Sequence, residues 1–114
     1  MPVLLEDLPG HDLKPDPSTA NSAAELRVLL REFWEWAGEF GSRRVASASG
    51  GAFSHTVAAK LIKADPRQAL LLEYVTGLIR GCGGDEAEQR RWATAHRRVR
   101  REQRAQPHLR AVSK

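Results

Sequence analysis

The chain has 114 residues, 41% of them hydrophobic and 28% charged, and a formal net charge of +4, which suits one domain with a modest core. Its longest uninterrupted apolar run, Ala69 to Leu72, falls far short of the roughly 20 residues a membrane span requires, so no membrane partner is expected. The single cysteine, Cys82, excludes an internal disulfide framework and fits a reducing cytoplasm, and the acidic opening MPVLLEDLPG lacks the basic region of a secretory signal.

Residues 1–21 contain four of the six prolines and no sustained period, which reads as a disordered, Pro-rich acidic arm. Ser22-Ala-Ala-Glu25 has the form of a capping box, in which a hydroxyl and a carboxylate satisfy free amides at a helix start. Beyond it Leu26, Leu29, Leu30, Phe33, Ala37 and Phe40 share one helical stripe, with Glu32, Glu35 and Glu39 opposite and Trp34 and Trp36 at its edge. This helix is expected to end near Gly41. Ser42 is placed to cap a short second helix that turns Val45 and Ala46 inward and breaks at Gly50-Gly51. Ser54 caps a third from His55 to about Ala64, with Ala58, Leu61 and Ile62 buried. Asp65-Pro66 combines an acceptor at the N-cap with proline at the first helical position, the pattern of a fourth helix over 66–80. That helix is apolar around more than half its girth. Gly81-Cys-Gly-Gly84 ends it, and Asp85-Glu-Ala-Glu88 opens a fifth helix to about Arg104 with a thin inward stripe of Trp92, Ala95 and Val99.

The expected class is therefore all-α: a compact five-helix domain over 22–104 between a flexible arm, 1–21, and a flexible basic tail, 105–114. Charge is distributed unevenly along it. Residues 41–64 carry four bases and no acid, and 90–114 carry nine bases and one acid, while the segments between are acidic. Two basic zones on an acidic body point to a polyanion met in a defined orientation.

The first basic zone carries the functional reading. Two short helices joined by a tight turn, the second capped by serine, form a helix-turn-helix over about 42–64. On the third helix, with Ala58 taken as inward, Leu61 and Ile62 lie within about 60° of it, while Thr56, Lys60 and Lys63 fall opposite. Ala59 lies about 100° from the inward direction, and His55 about 60° from it, near the helix start. A small, hydroxylated, cationic face of this kind suits entry into a DNA major groove.

Ser42 three residues before Val45-Ala46, a turn glycine, and Phe53-Ser54 followed by Leu61 resemble the signature of Xre-type helix-turn-helix proteins, the phage repressor and Cro-like family, and in particular its short forms from GC-rich bacteria. The chain departs from that pattern in its longer turn, Gly50-Gly51-Ala52, and in Val57-Ala58-Ala59, where two hydroxyls are missing. The resemblance implies sequence-specific binding of double-stranded DNA by a bacterial transcriptional regulator in the cytoplasm, at the nucleoid. It implies that Ser42 and Arg43 grip a phosphate and that Ser54, His55, Thr56, Ala59 and Lys60 occupy base-reading positions. Arg44 and Lys63 would neutralise the DNA backbone. Separately, the excess apolar girth of residues 70–79 leads us to expect a homodimer paired at least partly through the fourth helix.

A different class of function remains open: a protein–protein interaction module, an antitoxin or adaptor, that docks a partner on the apolar helix 66–80. The two readings separate on Lys60 and Lys63, which a DNA reader exposes and an adaptor ties into salt bridges. His11, His96 and His108 have no second ligand at metal spacing. Gly81-Cys-Gly-Gly84 follows no strand and precedes no Gly-Lys-Ser/Thr, so it is not a phosphate loop. Cys82 reads as a small buried hydrophobe. With no catalytic constellation and no cofactor motif, neither an enzyme nor a cofactor is expected.

Overall fold

The computed structural model describes residues 4–105; the tail expected over 105–114 lies, past Ala105, outside the described residues. Five α-helices follow one 3-10 turn, Pro17–Thr19: α1, Ala23–Ala37; α2, Ser42–Ala48; α3, His55–Ile62; α4, Leu72–Gly81; and α5, Glu86–Ala105. Among the described residues there is no strand, and no helix is long and apolar enough to cross a membrane.

Local chemistry accounts for most helix ends. Ser22 Oγ accepts the Glu25 N–H at 3.1 Å, and the Glu25 carboxylate reaches back to the Asn21 N–H at 2.9 Å, so two free amides are satisfied at the start of α1. Gly38, at φ 136°, stops that helix at Ala37, short of the expected end near Gly41, so Phe40 lies beyond the helix and not on its stripe. Ser54 caps α3 by accepting the Val57 N–H at 3.3 Å. At the other end of α3 the Asp65 N–H returns to the Lys60 carbonyl at 3.0 Å and Ala64 N–H to Leu61 at 3.0 Å, a Schellman closure in which alanine rather than glycine takes the left-handed position, φ 56°. α2 differs from the expectation: Gly41 occupies its N-cap, and Ser42 is the first helical residue with no side-chain capping bond.

The expected start of α4 at residue 66 is displaced to Leu72. Asp65 accepts the Arg67 N–H at 2.9 Å, which closes a local turn. The guanidinium of Arg27, on α1, then takes the carbonyls of Asp65 (3.3 Å) and Gln68 (2.5 Å). His96, on α5, donates from Nε2 to the Leu70 carbonyl at 2.7 Å. These carbonyls are the acceptors a helix through 66–72 would need, and side chains of two other helices hold them instead.

The core joins Leu26, Leu30 and Phe33 of α1 to Val45, Ala58, Leu61, Val75, Leu78, Ile79, Trp92 and Val99. α4 runs through its centre, packed on α1, α2 and α5. The apolar girth of 70–79 is thus taken up inside the chain, leaving Leu71 43% exposed. Trp92 is fully buried, meets Phe33 edge-on at 5.6 Å, and donates from Nε1 to Glu88 at 3.0 Å.

Residues 4–21 are docked, contrary to the disordered arm expected from their composition. Asp7 accepts from Trp36 Nε1 (2.9 Å) and from the N–H groups of Leu13 and Lys14. Lys14 reaches the buried carboxylate of Glu88 at 3.1 Å, Arg91 meets Asp16 at 3.4 Å, and Arg98 donates to the carbonyls of Ser18 and Ala20. Ionic pairs to partners more than 70 residues away replace the apolar periodicity that the segment lacks.

Candidate nucleic-acid interface

The turn between α2 and α3 is built for tightness. Gly50 and Gly51 both sit in the left-handed region, at φ 75° and 84°, which a side chain would disfavour. Ser49 is buried, its hydroxyl donating to the Ala46 carbonyl at 2.7 Å and accepting the Ala52 N–H at 3.2 Å. α4 backs α2 and the turn at close range. A Cβ on Gly77 would lie 2.5 Å from Ala52 Cβ, and one on Gly81 2.5 Å from the Val45 carbonyl oxygen. Phe53 packs edge-on against Tyr74 at 6.0 Å. Together these contacts set the position of α3 relative to α2.

On that platform α3 buries Ala58 and Leu61 and turns His55, Thr56 and Lys60 to solvent, with Lys63 exposed at its C-cap. Ala59 is half-buried at the edge of the exposed face. Ser54 is exposed, but its hydroxyl oxygen already accepts an amide of its own helix, so a partner finds chiefly its O–H donor. On α2, Arg43 and Arg44 are exposed and Ser42 is half-buried. Arg44 lies over the Phe40 ring with its guanidinium carbon 4.3 Å from the centroid, which holds the charge against the aromatic face.

Among the described residues Arg43, Arg44, Lys60 and Lys63 enter no ion pair. Asp65, the acid nearest Lys63 in sequence, is bonded by the guanidinium and backbone amide of Arg67, and those bonds, with the charges of Arg67 and Lys60, hold its carboxyl below the ordinary value of 3.8. Arg67 thus takes the hydrogen bonds of Asp65, and Lys60 and Lys63 stay exposed without an ion pair among the described residues.

No group of three or more His, Cys, Asp or Glu among the described residues is placed to hold a metal. Cys82 is buried without a neighbouring base, and burial pushes its thiol up to about 12, far from a reactive thiolate. The sequence reading missed the α4 glycines that seat the turn, and the only signal for them was their four-residue spacing on an apolar helix. Set against models of known families, curated proteins and solved structures, the chain matches none.

Proposed function

We propose that the protein binds double-stranded DNA with sequence preference, as an Xre-type transcriptional regulator in the cytoplasm. On this reading α3 enters the major groove, Thr56 and Lys60 read base edges beside His55 and Ser54, and Ala59 is small enough to let the helix approach. Arg43, Arg44 and Lys63 meet phosphates, which contributes affinity without sequence information. Neither catalysis nor a cofactor has a part in it. The observation that carries the reading is the outward face of α3: hydroxyl, imidazole and two ammonium groups, exposed and free of ion pairs among the described residues.

Pairing of two copies belongs to this reading because of the duplex, which presents equivalent groove segments about 34 Å apart to a two-fold dimer. α4 is a poor source for that interface, and for the docking of a protein partner, because Val75, Leu78 and Ile79 are fully buried within the chain.

The test is titration of genomic duplex fragments at two salt concentrations, followed by recovery of a preferred site. Thr56→Ala with Lys60→Ala should change stability by no more than about 0.5 kcal/mol. It should cost about 1–3 kcal/mol for each base edge no longer read on the preferred site, and much less on a scrambled duplex. Leu61→Ala should instead cost about 2–5 kcal/mol of stability and weaken both duplexes alike. A Thr56/Lys60 variant that binds both duplexes as the parent does would remove α3 as the reading helix.

A further inference from the structure

Seven arginines lie on α5, and the fold uses them in two different ways. Arg90 pairs with Glu86, Arg91 with Glu88 and Asp16, and Arg98 holds the carbonyls of Ser18 and Ala20. These three fasten the helix to itself and to the docked arm. Arg97, Arg100, Arg101 and Arg104 are exposed and enter no side-chain hydrogen bond or ion pair among the described residues. At the helical repeat they share an arc of about 100°, with Glu102, the acid on the same stretch of α5, about 150° from its centre. Together with Leu72 and His96 they wall an open groove of about 670 Å³ whose lining holds no carboxylate. Leu72 opens α4 there, and no side chain caps that helix start.

We infer that this groove is a second nucleic-acid surface, distinct from α3, that grips the phosphate backbone without reading bases. Guanidinium forks match phosphate oxygens in pairs, which a lysine cluster would do less specifically. The density of charge fits as well. Four guanidiniums over the eight residues from Arg97 to Arg104 span about 10 Å of helix axis, a charge density comparable to one phosphate per about 3.4 Å along a duplex strand. The four also stand at mutual spacings of three and four residues, where like charges repel and loosen a helix; a ligand with closely spaced negative charges relieves all of these repulsions at once. An anionic membrane fits poorly, because surface-bound helices insert an apolar face and the apolar residues of α5, Trp92, Ala95 and Val99, are buried in the core. The groove needs nothing from α3, so it can hold even if α3 reads no bases.

The experiment uses the full chain with Arg97, Arg100, Arg101 and Arg104 all changed to Gln, titrated against the preferred and a scrambled duplex over a range of salt. The slope of log K on log salt should shrink by about 0.9 for each phosphate that is no longer neutralised, while the ratio between the two duplexes stays as in the parent. The same four positions changed to Lys keep the charge and should keep the slope; a Lys variant that falls as far as the Gln variant overturns the inference, since the loss then tracks helix disruption. An unchanged slope in the Gln variant overturns it too, as does polyglutamate or an anionic phospholipid vesicle competing as well as duplex at equal charge. Failure of the α3 reading alone has a different signature: the parent binds both duplexes equally, and the Gln variant still loses its slope.

Discussion

Ala64 carries a conformational cost. It holds φ 56° to close α3, a position where glycine avoids a clash between Cβ and backbone. Glycine also has more freedom to lose on folding, which takes back part of the gain. Ala64→Gly should therefore raise stability by about 0.5–1 kcal/mol, the difference of those two effects, and a thermal melt reads it directly. A lowered midpoint would mean that Lys63 and Asp65, not backbone geometry, set the end of α3. Cys82 makes a second forecast at this scale. With its thiol pushed up to about 12 by burial, alkylation at pH 8 should proceed only as fast as the chain opens. Rapid labelling of folded protein would place the sulfur at the surface.

At the scale of elements, the decisive contact is α4 against the helix-turn-helix. Gly77 and Gly81 let two backbones approach where any side chain would intrude. Gly77→Ala places a methyl 2.5 Å from Ala52 Cβ and 3.1 Å from the Phe53 ring. Alanine favours helix by up to about 1 kcal/mol, yet overpacking of this kind costs about 1–3 kcal/mol, so a small to moderate net loss of stability is expected. The turn must move to relieve the clash, and α3 moves with it. On the proposed function, preference for the chosen duplex should fall more than affinity for a scrambled one. A variant that melts and discriminates as the parent does would show that the turn yields without tilting α3. Arg27 has a comparable part on the other side: its bonds to the carbonyls of Asp65 and Gln68 keep residues 65–71 out of helix and shorten α4.

Across the whole molecule, opposite charges decide what is covered and what is left bare. The acidic arm occupies the first half of α5, where Lys14 and Arg91 meet at Glu88 and Asp16 adds a second link. The second half of α5 and the face of α3 stay cationic. Asp7 ties the arm to Trp36, and that indole N–H first, then the amides of Leu13 and Lys14 and the charge of Lys14, hold its carboxyl below 3.8. A carboxyl with a depressed folded value stabilises docking fully above the unfolded value and loses that contribution as pH falls through the folded one. Indole emission should therefore change as the solution is acidified from about pH 5 towards pH 2. Asp7→Asn, which has no carboxyl to protonate, should lack that component. Identical acid titrations of parent and variant would place the release of the arm elsewhere, with Asp16 the next group to examine.

The local grammar of the chain was legible without any fold. The inward stripe of α1, the opposition of Ala58 and Leu61 to Thr56 and Lys60, and the serine caps of α1 and α3 depend on residues three or four apart, and helical geometry brings such residues together in any context. The Gly50-Gly51 break was equally plain, since only glycine takes two successive left-handed positions at low cost. What the tertiary structure decided depends on partners far apart in sequence. Asp65-Pro66 has every local mark of a helix start, yet Arg27, about forty residues earlier in the chain, captures the carbonyls that helix would use. The arm has no period to read, because Lys14 and Glu88 dock it across 74 positions. Seven arginines on one helix look alike as letters; only their surroundings separate three that fasten the fold from four that remain free to meet an anion.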